Sequence, residues 1–149
     1  MAIPVLREDG WLPEGHWLAD WSEVTQAFGG SEGSHRAKQL RLLLEWRDSV
    51  QSAGISGRLL LNGSFVSSKE DPGDVDALLV FDESTEALLE QDVGARELLN
   101  HSSMKRSGFG DLFCFAESTV QAFPKWCRLD MFDVDKKSGL TKGVLELRV

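Results

Sequence analysis

Apolar and polar positions follow two different periods along this chain. From Trp21 to Phe28, and again from His35 to about Ser52, apolar residues return every three or four positions, the spacing of one helical face. Gly29-Gly30 closes the first segment and Ser34 caps the second. In the longer helix Leu40, Leu43, Leu44 and Val50 share an inward stripe, and Lys38, Arg41, Glu45 and Asp48 lie on another face. Continuous apolar runs at Arg58 to Asn62 and Val75 to Phe81 predict buried strands. A helical region from about Ser84 to Leu99, interrupted near Gly94, precedes three further strand-like runs, Leu112 to Ala116, Arg128 to Val134 and Val144 to Val149. Helices early and strands late predict an α/β fold: one domain over residues 1–149, with a mixed, partly antiparallel sheet and helices packed over it.

Composition narrows the function classes. Sixteen basic against twenty-four acidic residues give a net charge of -8, which argues against a broad grip on nucleic-acid phosphates. Duplex DNA is therefore not the expected partner; nucleotides or proteins are. No apolar run approaches the ~20 residues of a membrane span, and the start MAIPVLREDGW lacks the pattern of a signal peptide, so no membrane partner and a cytoplasmic location are expected. Cys114 and Cys127 form no CxxC pair and sit among aromatic residues, as buried reduced thiols do. Five tryptophans, four within the first 46 residues, read as packing groups between the N-terminal helices and the sheet.

The candidate chemistry lies between the first two strands, in GSFVSSKEDPGDVDALLVF. Asp74 and Asp76 are one residue apart at the mouth of a buried strand, and period-two geometry sends both carboxylates to one face. Two like charges that close call for a cation between them. Gly63-Ser64, directly after the preceding strand, lets a phosphate approach the backbone. If the two strands lie side by side, phosphate loop and carboxylates face each other across the width of a magnesium triphosphate, an arrangement for phosphoryl or nucleotidyl transfer. Asp130, enclosed on both sides by the apolar pattern Arg128-Leu129-Asp130-Met131-Phe132, is the expected third carboxylate. Lys69 in the spacer, and Lys105 or Arg106 near His101, are cations able to meet triphosphate charge.

Gly63-Ser64, nine residues, then Asp74-Val75-Asp76 followed by Ala-Leu-Leu-Val-Phe resembles the catalytic signature of the polymerase β-type nucleotidyltransferase superfamily, particularly its minimal, single-domain bacterial members. The stretches LPEGHW and KGVLEL also look like a bacterial group of small nucleotidyltransferase-like proteins. The resemblance implies that Gly63 and Ser64 hold a triphosphate and that Asp74 and Asp76 bind two magnesium ions. It implies that Asp130 binds the catalytic metal and helps activate the attacking hydroxyl. It further implies an NTP donor, pyrophosphate as leaving group, and a hydroxyl acceptor on a partner protein or an RNA end, in a setting such as toxin-antitoxin pairs or phage defence. Two other readings stand beside it: a catalytically silent nucleotidyltransferase-like binding or antitoxin module, and an enzyme acting on a small cationic molecule of the aminoglycoside type, which the acidic balance suits.

Blander readings exist for single motifs. Asn62-Gly63 is also a two-residue hairpin signal, and Asp74 and Asp76 also suit a turn after Pro72-Gly73. Gly29-Gly30-Ser31-Glu32-Gly33 matches a nucleophile-elbow pattern but lies between helices, where that motif has no strand to stand on. Gly108-Phe109-Gly110 lacks the third glycine of a dinucleotide loop.

Overall fold

The computed structural model describes residues 3–127, 134 and 138–149. Its sheet has five strands in the spatial order β1-β5-β2-β3-β4: β1 His16–Leu18, β2 Gly57–Asn62, β3 Val75–Phe81, β4 Gly110–Ala116 and β5 Val144–Arg148. β2 runs antiparallel to β3 and to β5, and the outer pairs β1 with β5 and β3 with β4 are parallel. The sheet is thus mixed and partly antiparallel, as the sequence leads one to expect. The strand expected over Arg128 to Val134 lies, apart from Val134, outside the described residues; Val134 forms an isolated antiparallel bridge with Thr141.

Helices α1 (Trp21–Phe28) and α2 (His35–Ser52) fall where the periodicity puts them. Asp20 and Glu23 make a reciprocal capping box at the start of α1, and the Ser34 hydroxyl accepts the Ala37 N–H at 3.1 Å to start α2. The interrupted helical region resolves into α3 (Glu83–Gln91) and α4 (Val93–Leu98), with the break at Asp92, whose carboxylate caps α4. α5 (His101–Arg106) follows, capped by Asn100. Two short helices, α5 and α6 (Glu117–Ala122), and the three-residue β1 carry too few residues for a period to show in the sequence. Together α3, α4 and α5 form the crossover that a parallel β3–β4 pair requires.

Alternation along the strands divides the apolar residues between two faces. Leu59, Leu61, Ala77, Leu79, Leu112, Leu145 and Leu147 pack with Val24 and Phe28 of α1 and with Leu40, Leu43, Trp46 and Val50 of α2. Leu60, Leu78, Val80 and Val144 face the other way and meet Val120 of α6 and Cys127. The expected stripe on α2 needs one adjustment: Leu44 is half-buried, and Arg36, Gln39 and Trp46 join the buried side. Tryptophans act as packing groups with satisfied N–H donors, Trp46 to the Leu98 carbonyl at 2.9 Å and Trp21 to the Arg148 carbonyl at 3.0 Å. Both cysteines are free thiols; Cys127 is buried and Cys114 half-buried. Among the described residues no helix is long and apolar enough to cross a membrane.

The first turns of α2 hold the loop between β2 and β3. The Arg36 guanidinium, buried to 8% exposure, donates to five backbone carbonyls, those of Phe28, Ser64, Phe65, Ser67 and Lys69. It lies 5.7 Å from the Phe65 ring centroid and 6.0 Å from that of Phe28. Burial pulls its pKa below the ordinary arginine value, yet a guanidinium stays charged in any protein environment. The Gln39 amide donates to the Pro72 and Gly73 carbonyls, and His35 Nε2 meets the Pro72 carbonyl at 2.9 Å. A long loop with few apolar residues thus takes one shape because its carbonyls have fixed donors.

Arg36→Met, which keeps the stem and deletes the guanidinium, should destabilise the fold by about 3 kcal/mol, since several carbonyls lose their donors. Arg36→Lys should restore only part of this, because one ammonium cannot reach five carbonyls. The urea midpoint measures both, and an unchanged midpoint for Arg36→Met contradicts the clamp.

Acid stability offers a second check. The Asp82 carboxylate is held below its ordinary pKa of 3.8, first by the Ser56 hydroxyl and further by Ser84 and Thr85. A depressed carboxylate contributes stability above its unfolded pKa and loses it as the pH falls through the folded one. Asp82→Asn keeps a competent helix cap, so it should leave a shallower loss of stability below pH 3.8 in an acid titration followed by circular dichroism.

Candidate active site

The strand register assembles the site. Asn62 pairs with Asp76 across β2 and β3, and Asp76 pairs with Asp111 across β3 and β4. Cross-strand partners share a face, so Asp76 and Asp111 stand side by side at the ends of neighbouring parallel strands, on the face that carries Leu78 and Val80. Asp74 lies two residues before Asp76 at the same end. The sequence expectation that the Gly63-Ser64 loop and the aspartate pair adjoin is met: β2 and β3 are direct antiparallel neighbours. Asn62-Gly63 does not make a two-residue hairpin; residues 63–74 intervene.

Gly63 has φ +79°, a left-handed conformation that favours glycine. A Cβ built there falls 2.2 Å from Asp76 Oδ2, so the Asp76 carboxylate occupies the space a side chain would need. After Gly63 the chain makes a single 3-10 turn, Ser64–Val66. Arg36 takes the carbonyls of this turn and redirects the backbone before a helix forms. The half-buried Ser64 hydroxyl accepts the Gly73 N–H at 3.3 Å, tying the two ends of the loop together.

The cation among these groups is Lys105 of α5. Its Nζ lies 2.6 Å from Asp74 Oδ2 and 3.3 Å from each carboxylate oxygen of Asp111. These contacts, with the Asp74 bond the largest, hold the ammonium above its ordinary pKa of 10.5, so it is charged throughout the neutral range. His101 Nε2 meets Asp111 Oδ1 at 3.1 Å, and its ring stacks on Phe113 with centroids 5.0 Å apart. The His101 segment thus lies beside the carboxylates, with Lys105 on them. Arg106 turns instead to the Ser103 hydroxyl at 3.2 Å.

Other candidates fall elsewhere. Lys69 is exposed; the loop uses its backbone carbonyl, which accepts from Arg36, and the carboxylates receive Lys105 instead. Asp130, the expected third carboxylate, lies outside the described residues. Asp111 escapes the sequence reading because that reading starts its strand at Leu112, glycine and aspartate being poor strand formers. The overlooked signal is a repeat of pattern: Gly73-Asp74-Val75 enters β3 as Gly110-Asp111-Leu112 enters β4. Gly110 is required there, since a Cβ would come within 2.3 Å of the Val75 carbonyl.

Carboxylate oxygens at one sheet end form a hard donor set suited to magnesium. Among the described residues no three His, Cys, Asp or Glu side chains converge as a metal cage. Asp74 and Asp111 instead converge on an ammonium, a cation already seated where the donor set calls for one.

Gly63→Ala should cost about 2 kcal/mol, through the left-handed backbone and the clash with Asp76. Thermal unfolding measures it, and a variant as stable as the wild type contradicts the described packing of Asp76 on Gly63.

No curated protein and no solved structure matches the chain. A family profile matches residues 4–148, and the chain belongs to that family, DUF6932, a family of unknown function.

Proposed function

We propose that this chain is a magnesium-dependent nucleotidyltransferase that moves an NMP from an NTP to a hydroxyl on a partner protein or an RNA end. The observation that carries the reading is the register of β2, β3 and β4, which sets Asn62-Gly63, Asp76 and Asp111 in a row with Asp74 beside them. Asp74 and Asp76 would hold magnesium, with Asp111 or Asp130 as the third carboxylate. When bound, magnesium neutralises phosphate charge and lowers the pKa of an attacking hydroxyl.

The protein's own groups do the positioning. Gly63 and Ser64 would border the triphosphate beside the carboxylates, with the Gly63 N–H held by the Asn62 side chain, and Arg36 keeps that loop in one shape. Lys105 supplies positive charge to phosphate oxygens. A new bond forms between acceptor oxygen and α-phosphorus, the bond to the β-phosphate oxygen breaks, and pyrophosphate leaves with the charge. A carboxylate of the site takes the hydroxyl proton. Positioning and charge account for the rate, and no covalent enzyme intermediate is required. A silent nucleotide-binding relative is the second reading, favoured by Lys105 sitting directly on Asp74 and Asp111.

Calorimetry and pyrophosphate release with each of the four NTPs test this. Asp74→Asn with Asp76→Asn should lower transfer roughly a hundredfold or more with the fold intact. Asp111→Asn and Asp130→Asn, made separately, identify the third carboxylate by which one matches that loss. Unchanged turnover in the double variant, or no NTP binding by the wild type, overturns the proposal.

A further inference from the structure

We infer that Lys105 is an exchangeable counter-ion: its ammonium holds the Asp74 and Asp111 carboxylates until a divalent cation displaces it, and it then moves to the phosphates of the incoming nucleotide. This inference rests on the reading of these carboxylates as a metal-nucleotide site, and it adds how the site is kept before substrate arrives.

The geometry makes the two cations exclusive. Lys105 Nζ lies 2.6 Å from Asp74 Oδ2 and 3.3 Å from both oxygens of Asp111. A magnesium or manganese ion on those oxygens sits about 2.1 Å from each. The ammonium then competes for the same oxygens with a second positive charge at contact distance, which Coulomb repulsion opposes. Either cation satisfies the carboxylates, and only one is seated at a time.

The ammonium is also free to leave. The Lys105 side chain is 47% exposed, and α5 has no buried residue, so the swing opens no part of the core. His101 gives the helix a separate tether, through Asp111 and the stack on Phe113. The swing therefore needs the lysine side chain alone. A displaced ammonium gains from a nearby anion, and triphosphate oxygens at the same sheet end provide one. Metal and nucleotide then assist each other's binding, because each removes the cost of releasing Lys105.

Manganese binding followed by electron paramagnetic resonance, first without nucleotide and then with a non-hydrolysable ATP analogue, tests this on wild type, Lys105→Met and Lys105→Arg. Lys105→Met should bind manganese alone about threefold or more tightly than wild type, its carboxylates no longer having an internal occupant. Lys105→Arg, which keeps the charge, should bind no more tightly than wild type. The analogue should raise manganese affinity in the wild type and much less in Lys105→Met. Manganese affinity in Lys105→Met equal to or weaker than wild type overturns the exchange, as does a lack of manganese binding by all three proteins. Tighter manganese binding by Lys105→Met with no response to the analogue in any protein supports the displacement and overturns the nucleotidyltransferase reading. Nucleotide binding with unchanged manganese affinity does the reverse. Thermal unfolding of each variant confirms that the fold is intact.

Discussion

The register of β3 is the constraint on which the rest of the molecule depends. This strand is hydrogen-bonded on both sides, antiparallel to β2 and parallel to β4. Its side chains alternate between the core under α1 and α2 and the core under α6. A slip of one residue exchanges the faces. Asp76 would then enter the helix-side core among Leu59, Leu61 and Leu79, and a carboxylate there without a partner is far too costly to keep. The apolar residues Ala77, Leu78, Leu79 and Val80 thus place Asp76 beside Asp111 and Asn62 as a by-product of burying themselves.

Around that fixed row the site has two walls of different character. The wall from residues 63 to 73 is bound by a buried guanidinium and a buried amide to backbone carbonyls. The other wall, α5, has no fully buried residue; Met104 packs partly buried on the core, His101 stacks on Phe113, and exposed or half-exposed charges meet the carboxylates. Ion pairs of that exposure contribute little to stability and are screened by salt. The same sheet end therefore joins a loop clamped through its backbone to a helix seated by Met104 and by exposed ion pairs.

Much of this was legible in the sequence, for reasons that separate the successes from the omissions. Helices α1 and α2 and strands β2 and β3 are long enough for a period to emerge, and their caps and closing glycines are local signals. The adjacency of Gly63-Ser64 and Asp74-Asp76 follows from two buried strands with a loop between them. Asp111 was not legible because its neighbours, Gly110 and Phe109, carry no strand pattern; β3 recruits Gly110 and Asp111 into the ladder by pairing. Arg36 was missed for a related reason. On a helical wheel it reads as one more surface charge, and its burial depends on carbonyls 28 to 33 residues away in the sequence.

Within the 63–73 loop Arg36 addresses main-chain oxygens and no side chain, and Gln39 does the same. The shape of the loop is thus separated from the identity of its exposed side chains. Ser68, Lys69, Glu70 and Asp71 all face solvent, and none of their side chains takes part in this clamp. Related chains are then free to drift at these four positions while the wall from residues 63 to 73 keeps one geometry. The rim beside the carboxylates is a surface that can diversify without refolding the loop beneath it.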